Sequence, residues 1–474
     1  MALIVVDRSS GVPLHRQVAS KMREAILSGR LAAGERIVSS RELQSELGVS
    51  RNTIVDALGQ LHAEGYLVTV RGVGTFVSND VARTQTNGRA SRAFTPTPDA
   101  QRYLDVGELA RNGNVTRAFR PCVPAIDAFP FAEFKRSMMR AASDAALFDY
   151  PDAQGHAQLR TEIARRVAQT RGADCTPDQV FITNGAQAAF SLIADALLKR
   201  GDAVVMEDPG YPNVRAAFLA RGFRVASVAV DEQGIDVDAF ARRTAKLAYV
   251  TPSHQLPTGV VLSLERRLKL LDWADTQDAW IVEDDYDSEF HYTSRALPSL
   301  YALSERQRVV YVGTFSKVLS PALRVGYVIV PPILRDVFAA CHAVMGGVPS
   351  PLLQAALADF MDRGHFARHI RKMRTLYDER RVYVQGLLQK TGLFSIADSG
   401  TGLHFVADLL AHVSDQVLSA EAQKAGLMVP ALSSFYFERP PRNGLIVGYA
   451  ATPPAQARNA IGILAAVTRK LAAL

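Results

Sequence analysis

One segment constrains the fold of this chain more than any other: an apolar run that passes directly into a cluster of acidic residues. Residues 279–282 read Ala-Trp-Ile-Val, and residues 283–287 follow as Glu-Asp-Asp-Tyr-Asp. A short, uninterrupted apolar run is typical of a parallel strand that is buried on both faces. Sheets of that kind bind ligands beyond the carboxyl ends of their strands. The segment therefore predicts an α/β fold with a ligand site at this strand end, with a solvated acidic turn as the alternative.

A lysine-containing segment further along the chain favours the ligand site. Lys317 ends the sequence Thr-Phe-Ser-Lys, which begins at Thr314, and Arg324 follows it closely. A Schiff-base lysine whose ligand also carries a phosphate needs hydroxyls and a guanidinium nearby. Thr314, Ser316 and Arg324 supply those groups. Taken alone, the tetrapeptide also fits an ordinary surface lysine.

This segment resembles the lysine motif of fold-type I aminotransferases, which bind pyridoxal 5'-phosphate (PLP). The resemblance implies that Lys317 forms a Schiff base with PLP. It also implies a carboxylate against the pyridine nitrogen, which keeps the ring an electron sink. Asp284 is the first choice for that role and Asp285 a close rival, while Tyr286 is expected to hydrogen-bond the phenolic oxygen of the ring.

Further motifs match the same enzymes in the same order. A strand-like run over 180–183 turns through Gly185 into an apolar helix, whose free N–H groups suit a phosphate. By resemblance, Tyr211 stacks on the cofactor ring, and Tyr150 reaches the phosphate bound by the partner subunit. The expected cofactor-binding residues are therefore Tyr150, Gly185, Ala186, Gln187, Tyr211, Asp284, Tyr286, Thr314, Ser316 and Arg324.

The first eighty residues carry a different pattern. Apolar residues recur every four positions from Leu14 to Ile26, as on one face of a helix. Ser39 with Glu42 forms a capping box, and Ser50 can cap another helix. The pattern predicts a winged helix-turn-helix with helices over 13–28, 40–47 and about 51–63, and with strands over 66–70 and 75–77.

This head resembles the GntR family of bacterial regulators over about residues 10–78, although Val38 stands where the family often has proline. The resemblance implies binding to double-stranded operator DNA. The start of a recognition helix must present groups that read bases and phosphates, and a wing can touch the backbone or minor groove. The expected contacts are Arg41, Ser50, Arg51, Asn52, Thr53, Arg71 and Gly72, with an ordinary surface charge as the alternative for Arg41 and Arg51.

A GntR head joined to an aminotransferase-like body is the arrangement of the MocR subfamily, which this chain resembles over nearly its whole length. The expected fold class is α/β: an N-terminal winged helix-turn-helix plus a PLP-dependent fold-type I aminotransferase-like domain. That domain should have a mostly parallel sheet sandwiched by helices and a smaller C-terminal α/β subdomain. The expected limits are 1–79 for the head, 80–112 for a flexible basic linker and 113–474 for the body. The resemblance also implies a domain-swapped homodimer.

Composition agrees with this organisation. The chain has 474 residues, of which 48% are apolar, and this is enough for a sizeable core. Residues 81–120 contain seven arginines against three acidic residues, which suits a solvated linker or one that follows DNA phosphates. Cys122, Cys175 and Cys341 are far apart, so their spacing predicts neither a disulfide framework nor a metal site. No apolar run is long enough to span a membrane, and we expect a cytoplasmic protein.

Two functions are compatible with these motifs. The first is a transcription regulator that senses an amino compound, or PLP itself, through Lys317 and changes its operator binding. The second is a catalytic aminotransferase with a DNA-binding appendage. Ile446 occupies the position where such enzymes have an arginine for the substrate carboxylate, and Arg442 is out of register. Leu256 replaces an asparagine that usually contacts the ring oxygen. Both departures favour the sensor, and we expect at most partial transaminase half-reactions.

Overall fold

The chain forms two structural units that divide near residue 95. The computed structural model describes residues 6–80, 95–107, 117–241, 244–293, 297–397, 400–438 and 441–473. Most of the segment predicted as a linker (80–112) lies outside the described residues, which omit 81–94 and 108–116.

The first unit is a winged helix-turn-helix, as predicted. Ser39 Oγ accepts a hydrogen bond from the backbone N–H of Glu42 at 3.3 Å, and the Glu42 carboxylate accepts one from the N–H of Ser39 at 2.8 Å. This is the predicted capping box. Gly48 ends the same helix at a φ of 60°. The elements are α1 (Leu14–Leu27), β1 (Arg36–Ile37), α2 (Ser40–Leu47), α3 (Arg51–Ala63), β2 (Leu67–Val70) and β3 (Gly74–Val77).

Two antiparallel strands form the wing, and a third strand was not predicted. The strands β2 and β3 pair from Leu67 opposite Val77 to Val70 opposite Gly74. The two-residue strand β1 pairs with the other edge of β3. The core of this unit is closed by the predicted apolar face of α1, with Val18 and Met22 fully buried, together with Ile54 and Leu61 of α3.

The second unit is an α/β body with two sheets. Its elements are α4 (Pro98–Gly107), α5 (Phe131–Ala142), α6 (Ala157–Arg171), β4 (Val180–Thr183), α7 (Ala186–Leu197), β5 (Ala203–Asp208), α8 (Pro212–Ala220), β6 (Arg224–Asp231), β7 (Gly234–Ile235), β8 (Leu247–Val250), α9 (Leu264–Thr276), β9 (Trp280–Asp285), α10 (Leu300–Leu303), β10 (Val309–Thr314), β11 (Gly326–Ile329), α11 (Arg335–Met345), α12 (Pro351–Asp362), α13 (His365–Gln389), β12 (Phe394–Ala397), β13 (His404–Leu409), α14 (Asp415–Lys424), β14 (Gly444–Gly448) and α15 (Pro454–Ala472).

The larger sheet is mostly parallel, and the carboxyl ends of several of its strands lie at one edge. Its strand order is β4-β11-β10-β9-β8-β5-β6-β7. The strands β10, β9, β8, β5 and β6 run parallel, whereas β11 runs antiparallel to both β10 and β4. Because β4 and β10 therefore share a direction, the carboxyl ends of β4, β5, β8, β9 and β10 all lie at the same edge. That edge is where such sheets bind ligands.

The smaller sheet belongs to the C-terminal part of the body. Its order is β12-β13-β14, and both pairings are antiparallel. The predicted late strand over 444–449 is observed as β14, with Ile446 paired to Val406. The prediction of a mostly parallel sheet with a smaller C-terminal α/β subdomain is confirmed.

One part of the predicted linker is helical. The helix α4 lies against α8 and so belongs to the second unit. Asp99 in its first turn lies 3.0 Å from the guanidinium of Arg200, and Arg102 pairs with the same carboxylate at 2.6 Å. Local ion pairs and packing against α8 thus order residues that composition alone assigned to a flexible linker.

Candidate cofactor site and DNA-binding surface

The acidic cluster that opened the sequence argument is buried rather than solvated. The strand β9 continues through Glu283, Asp284 and Asp285, three residues beyond the apolar run that predicted it. At most 6% of each of these residues is exposed. Their partners explain why a strand can carry them: Glu283, for example, accepts hydrogen bonds from the backbone N–H groups of Leu300 and Tyr301 at 3.0 and 2.9 Å. The alternative of a solvated acidic turn is wrong.

Asp284 retains an unused acceptor at the ligand-binding edge. Its Oδ2 accepts a hydrogen bond from the hydroxyl of Tyr249 at 2.6 Å, whereas its Oδ1 is buried without a partner in the part of the chain that the structure describes. Burial raises the pKa of Asp284 to about 7, while the hydrogen bond from Tyr249 and the charge of Lys317 lower it. A buried carboxylate oxygen without a donor is costly, so this side chain fits a ligand that brings an N–H group to Oδ1.

Asp285 is engaged elsewhere. Its Oδ2 accepts a hydrogen bond from Arg171 Nε at 2.8 Å and a second one from the hydroxyl of Tyr311. The same guanidinium reaches Ser253 Oγ at 2.5 Å. Successive residues of a strand point to opposite faces, so Asp285 serves an ion pair within the body while Asp284 faces Tyr249. This geometry favours Asp284 over Asp285 as the ligand-facing carboxylate.

Lys317 follows β10 in a turn beside Asp284. The hydroxyl of Thr314 accepts a hydrogen bond from the backbone N–H of Ser316 at 3.1 Å, which braces the turn, and both residues are largely buried. Lys317 itself is half-buried. Its charge is one cause that lowers the pKa of Asp284, against the larger effect of burial, and it acts in the same way on the thiol of Cys122. Val312 of β10 pairs with Asp284 of β9, so Lys317, which follows β10, lies at the same edge of the sheet as this carboxylate.

The predicted phosphate-binding residues meet at the start of α7. Gly185 caps this helix at a φ of 77°, and Ala186 and Gln187 form its first turn. Arg324 Nη2 approaches the carbonyl of Asn184 at 3.5 Å, and a Cβ added to Gly185 would lie 3.2 Å from that nitrogen. A guanidinium next to free N–H groups at a helix start is a favourable environment for a phosphate.

The two predicted ring-binding tyrosines differ. Tyr211 lies at the start of α8, where burial and then the charge of Asp284 raise the pKa of its hydroxyl. It follows β5, whose carboxyl end lies at the same edge of the sheet as that of β9. Tyr286 donates a hydrogen bond from its hydroxyl to the carbonyl oxygen of His254 at 2.9 Å. The expected contacts of both tyrosines with a cofactor ring stay predictions.

Tyr150 stands apart from the other predicted residues. Its side chain is 98% exposed, so it is not packed into the site formed by the described residues of its own chain. Its role as a residue that reaches the partner subunit stays a prediction.

Several residues at this edge were missed or given no role by the sequence argument. Cys122 Sγ lies 3.6 Å from His404 Nδ1, and the ring centroids of His404 and His254 are 4.8 Å apart. His254 Nδ1 lies 2.9 Å from Asp287 Oδ2. Cys122 and His404 come from segments that are far apart in the chain, so sequence spacing carried no signal. Asp287 lies in the acidic segment quoted above, and His254 lies two residues before Leu256, but neither had a recognised partner.

The predicted DNA-contacting residues lie on α2, at the start of α3 and in the turn of the wing, with one difference in role. Arg51 and Asn52 are exposed at the start of α3, and Arg71 and Gly72 are exposed in the turn of the wing. Arg41 is exposed on α2. Ser50 Oγ, however, accepts from the N–H of Thr53 at 3.2 Å and lies 2.8 Å from Thr53 Oγ1. The Ser50 hydroxyl therefore caps α3 and also hydrogen-bonds the Thr53 hydroxyl.

Comparison with known proteins assigns both units. The family described as bacterial regulatory proteins, gntR family, matches residues 14–77, and the family described as aminotransferase class I and II matches residues 123–464. The probable rhizopine catabolism regulatory protein MocR of Rhizobium meliloti is 38% identical over 98% of this chain and 95% of its own length.

The chain belongs to the MocR subfamily of GntR-type transcription regulators.

Other relatives of this MocR-type regulator extend the comparison. The pyridoxine biosynthesis transcriptional regulator PdxR of Corynebacterium glutamicum is 33% identical over 91% of both chains. The body matches LysN, an α-aminoadipate aminotransferase of Thermus thermophilus crystallised with N-(5'-phosphopyridoxyl)-L-leucine, with a TM-score of 0.72 and 25% identity over 80% of this chain and 98% of that one. The head of this regulator is accordingly a DNA-binding domain, and its body is an aminotransferase class I domain, a class that typically binds PLP. Across the described residues, every helix is too short or too polar to cross a bilayer.

Proposed function

We propose that this MocR-type regulator holds PLP covalently on Lys317 and that an amino compound, or PLP itself, changes its affinity for operator DNA. The observation that carries the proposal is the buried Asp284 carboxylate, whose Oδ1 lacks a partner among the described residues and lies beside the charge of Lys317. An oxygen of this kind suits the protonated nitrogen of a pyridine ring. The class of the body supports the same cofactor.

The other residues of the site support this assignment by their positions. Gly185, the first turn of α7 and Arg324 would hold the phosphate, and Gly185 leaves room for it because a Cβ there would crowd Arg324. Tyr211 would cover one face of the ring. When bound, PLP supplies an aldehyde that captures amines and a ring that withdraws electrons from them. Tyr249 would keep the Asp284 carboxylate oriented through its hydrogen bond to Oδ2.

Sensing requires a ligand that distinguishes two states of the protein. A ligand that binds both states equally does not shift the equilibrium between them. The effector must therefore contact the body differently when the heads are competent to bind the operator. An effector amine that took the place of Lys317 on the cofactor would be one such difference, because it would leave the Lys317 side chain free to make other contacts.

A catalytic aminotransferase with a DNA-binding appendage is the competing function. Efficient transamination of α-amino acids needs a cation for the substrate carboxylate. Ile446 lies at that position, 1% exposed in an apolar cluster with Val406 and Leu432. Arg442 is committed to Asp408, with Nη2 at 2.6 Å from the carboxylate. These contacts favour the regulator as the principal function.

A homodimer would complete the site. The side chain of Tyr150 is almost fully exposed at the end of a short surface segment, which suits a residue that serves the neighbouring subunit. We include in the proposal that Tyr150 of one protomer contacts the phosphate bound by its partner, as the resemblance to fold-type I enzymes implies.

Borohydride reduction tests the covalent assignment. The full-length protein, incubated with PLP and reduced, should carry one phosphopyridoxyl group per chain, and peptide mapping should place it on Lys317. The Lys317→Ala variant should lose the label, while Lys246→Ala in the same unit should keep it. An undiminished label on Lys317→Ala would refute the assignment.

A second measurement separates a sensor from an enzyme. The visible absorption spectrum of the PLP-loaded protein is followed while amino compounds are added, in parallel with operator binding. A spectral change that alters operator affinity without turnover supports a sensor. Accumulation of pyridoxamine phosphate with repeated turnover would establish the enzyme instead.

A further inference from the structure

Side chains beside the proposed cofactor site form a group that the proposed function does not use. His254, Asp287 and His404 are each buried, and their ligand atoms lie within 4.8 Å of one another. The hydroxyl of Tyr286, a predicted contact of the cofactor ring, lies 3.1 Å from His254 Nδ1, so the group adjoins that site. We call these three residues the imidazole-carboxylate group.

The hydrogen bonds of this group fix where its protons lie. Asp287, as a carboxylate, only accepts, so the contact of 2.9 Å from His254 Nδ1 places a proton on that nitrogen. The carbonyl of Pro257 also only accepts, and His404 Nε2 lies 3.2 Å from it. Burial lowers the pKa of His404 well below its ordinary value, so this ring is neutral and presents Nδ1 as a lone pair. His254 has its Nδ1 committed to Asp287 and keeps only Nε2 for a further contact.

The other polar atoms of the three side chains receive few hydrogen bonds from the described residues. His404 Nδ1 faces the thiol of Cys122 at 3.6 Å, which is a weak donor. His254 Nε2 and Asp287 Oδ1 are buried without a partner among the residues that the structure describes. The side chains of His254 and Asp287 are each 1% exposed. The unused capacity of the group is therefore that of an acceptor, and it calls for a ligand that donates hydrogen bonds.

The contacts around the position expected for a substrate carboxylate also argue against an anionic effector. Ile446 packs among apolar side chains, and Arg442 is paired with Asp408. Arg324 lies beside Gly185 at the proposed phosphate site, while Arg171 is bound to Asp285. Each described arginine named here already has a different partner. A carboxylate or sulfonate placed next to Asp287 would meet a like charge and acceptor lone pairs.

We propose that the effector of this regulator is an amino alcohol or amino polyol without a carboxylate, of which one hydroxyl donates to Asp287 Oδ1 beside His254 Nε2. This inference rests on the proposed function in that it takes Lys317 and its cofactor as the place where the amine end reacts. His404 then closes the group from the side of Cys122. The hydroxyl end supplies the donor that the buried carboxylate oxygen lacks.

A series of three ligands isolates the terminal group. Ethanolamine, β-alanine and taurine share an aminoethyl unit and differ in ending with a hydroxyl, a carboxylate or a sulfonate. Their dissociation constants are measured by calorimetry on full-length protein treated with EDTA, so that no metal ion occupies the imidazole lone pairs. We expect ethanolamine to bind at least ~10-fold more tightly than the other two, because only its hydroxyl gains a hydrogen bond to the Asp287 carboxylate. Equal or tighter binding of taurine or β-alanine, or no binding of all three, overturns the inference.

Two variants connect the preference to the named atoms. Asp287→Asn keeps the shape but replaces an acceptor by a donor, and it should reduce the preference for ethanolamine at least ~10-fold. Ser434→Ala, a change outside the group, should leave the preference intact. A preference that survives unchanged in Asp287→Asn would refute the role of the carboxylate.

The same series distinguishes failure of this inference from failure of the proposed function. The Lys317→Ala variant, which cannot hold the cofactor covalently, is titrated in parallel with the native protein. Loss of the reducible label on native Lys317 would contradict the proposed function, whatever the order of ligand affinities. The order of the three dissociation constants, measured by calorimetry in both proteins, decides the class of effector. The inference stands only if ethanolamine binds most tightly to the native protein.

Discussion

Asp284 and Asp285 are adjacent in the chain but have different partners: Tyr249 donates to Asp284, whereas Arg171 forms an ion pair with Asp285. The alternation of a β-strand turns two consecutive carboxylates to opposite faces of one sheet. One face leads to the site around Lys317, and the other is closed by α6. The same two-residue sequence thus supplies a ligand-facing group and a structural one.

Alanine at each position should separate these roles. Asp285→Ala leaves the buried Arg171 guanidinium unpaired and should lower the free energy of unfolding by about 3–5 kcal/mol. Asp284→Ala removes the unpaired oxygen but leaves the buried Tyr249 hydroxyl without its acceptor, so it should lower the cofactor-free stability less than Asp285→Ala does. It should weaken PLP binding at least ~10-fold, about 1.4 kcal/mol. Urea unfolding and cofactor titration measure both, and the reverse pattern would exchange the two assignments.

The cofactor-free body should lose stability as the pH rises towards neutrality. Burial raises the pKa of both Asp284 and Glu207 to about 7, so the folded state binds their protons more tightly than the unfolded state does. Their contribution is complete below the unfolded pKa values near 4 and is lost as the pH rises through about 7.

Asp284→Asn should flatten part of this dependence. We expect the difference in unfolding free energy between pH 5 and pH 8 to shrink by a few kcal/mol, on the order of the linkage effect of one such carboxyl. Denaturant unfolding of cofactor-free protein at both pH values is the measurement. An unchanged difference in the variant would mean that Asp284 titrates normally.

Replacing Gly185 should weaken PLP binding in addition to straining the backbone. Gly185→Ala forces a side chain into φ of 77°, 3.2 Å from Arg324. Gly364→Ala is a matched control, because its φ is 71° and no described atom lies within 4 Å of the added Cβ. Both should cost roughly 1–2 kcal/mol of stability from the backbone alone. PLP affinity, measured by titration, should fall about 10-fold in Gly185→Ala only, and an equal loss in both would remove the phosphate role.

Arg51 should be needed for DNA but not for the cofactor. Arg51→Ala should weaken operator binding at least ~10-fold, the effect expected for a base contact, while PLP uptake stays normal. Lys21→Ala, at an exposed position on α1 paired with Glu24 at 3.4 Å, serves as the control and should bind as the native protein does. Fluorescence anisotropy with operator DNA at two salt concentrations measures both variants. Loss of DNA binding and PLP uptake together would indicate misfolding.

Mixed dimers should reveal whether Tyr150 serves the partner. Neither Tyr150→Ala nor Lys317→Ala alone should form a complete site, since one lacks the phosphate contact and the other the amine. Co-expression of the two variants should restore one site per heterodimer, so the purified heterodimer should show about half of the tight PLP binding of the native dimer. Binding that stays at the level of Tyr150→Ala alone would place this residue outside the site.

Much of the fold was predictable from local chemistry. The capping box at Ser39 and the left-handed Gly48 fix both ends of α2 through contacts within a few residues. The strand run at 279–282 was recognised because β-branched and aromatic residues fill a doubly buried strand. Its extension through Asp285 was not, because charged residues enter a strand only when partners such as Arg171 and Tyr249 are brought to them from elsewhere in the chain.

The sequence by itself determined the elements, their order and the residues that the family shares, because caps, apolar periods and motifs act over short distances. Tertiary structure alone decided which carboxylate faces Lys317, which hydroxyls are already used, and that His254, Asp287 and His404 meet. Those facts depend on strands and loops that lie far apart in the chain, and on burial, which turns a hydrogen bond or its absence into a large energetic difference. No local pattern in the sequence encodes these long-range contacts or the burial of the side chains that make them.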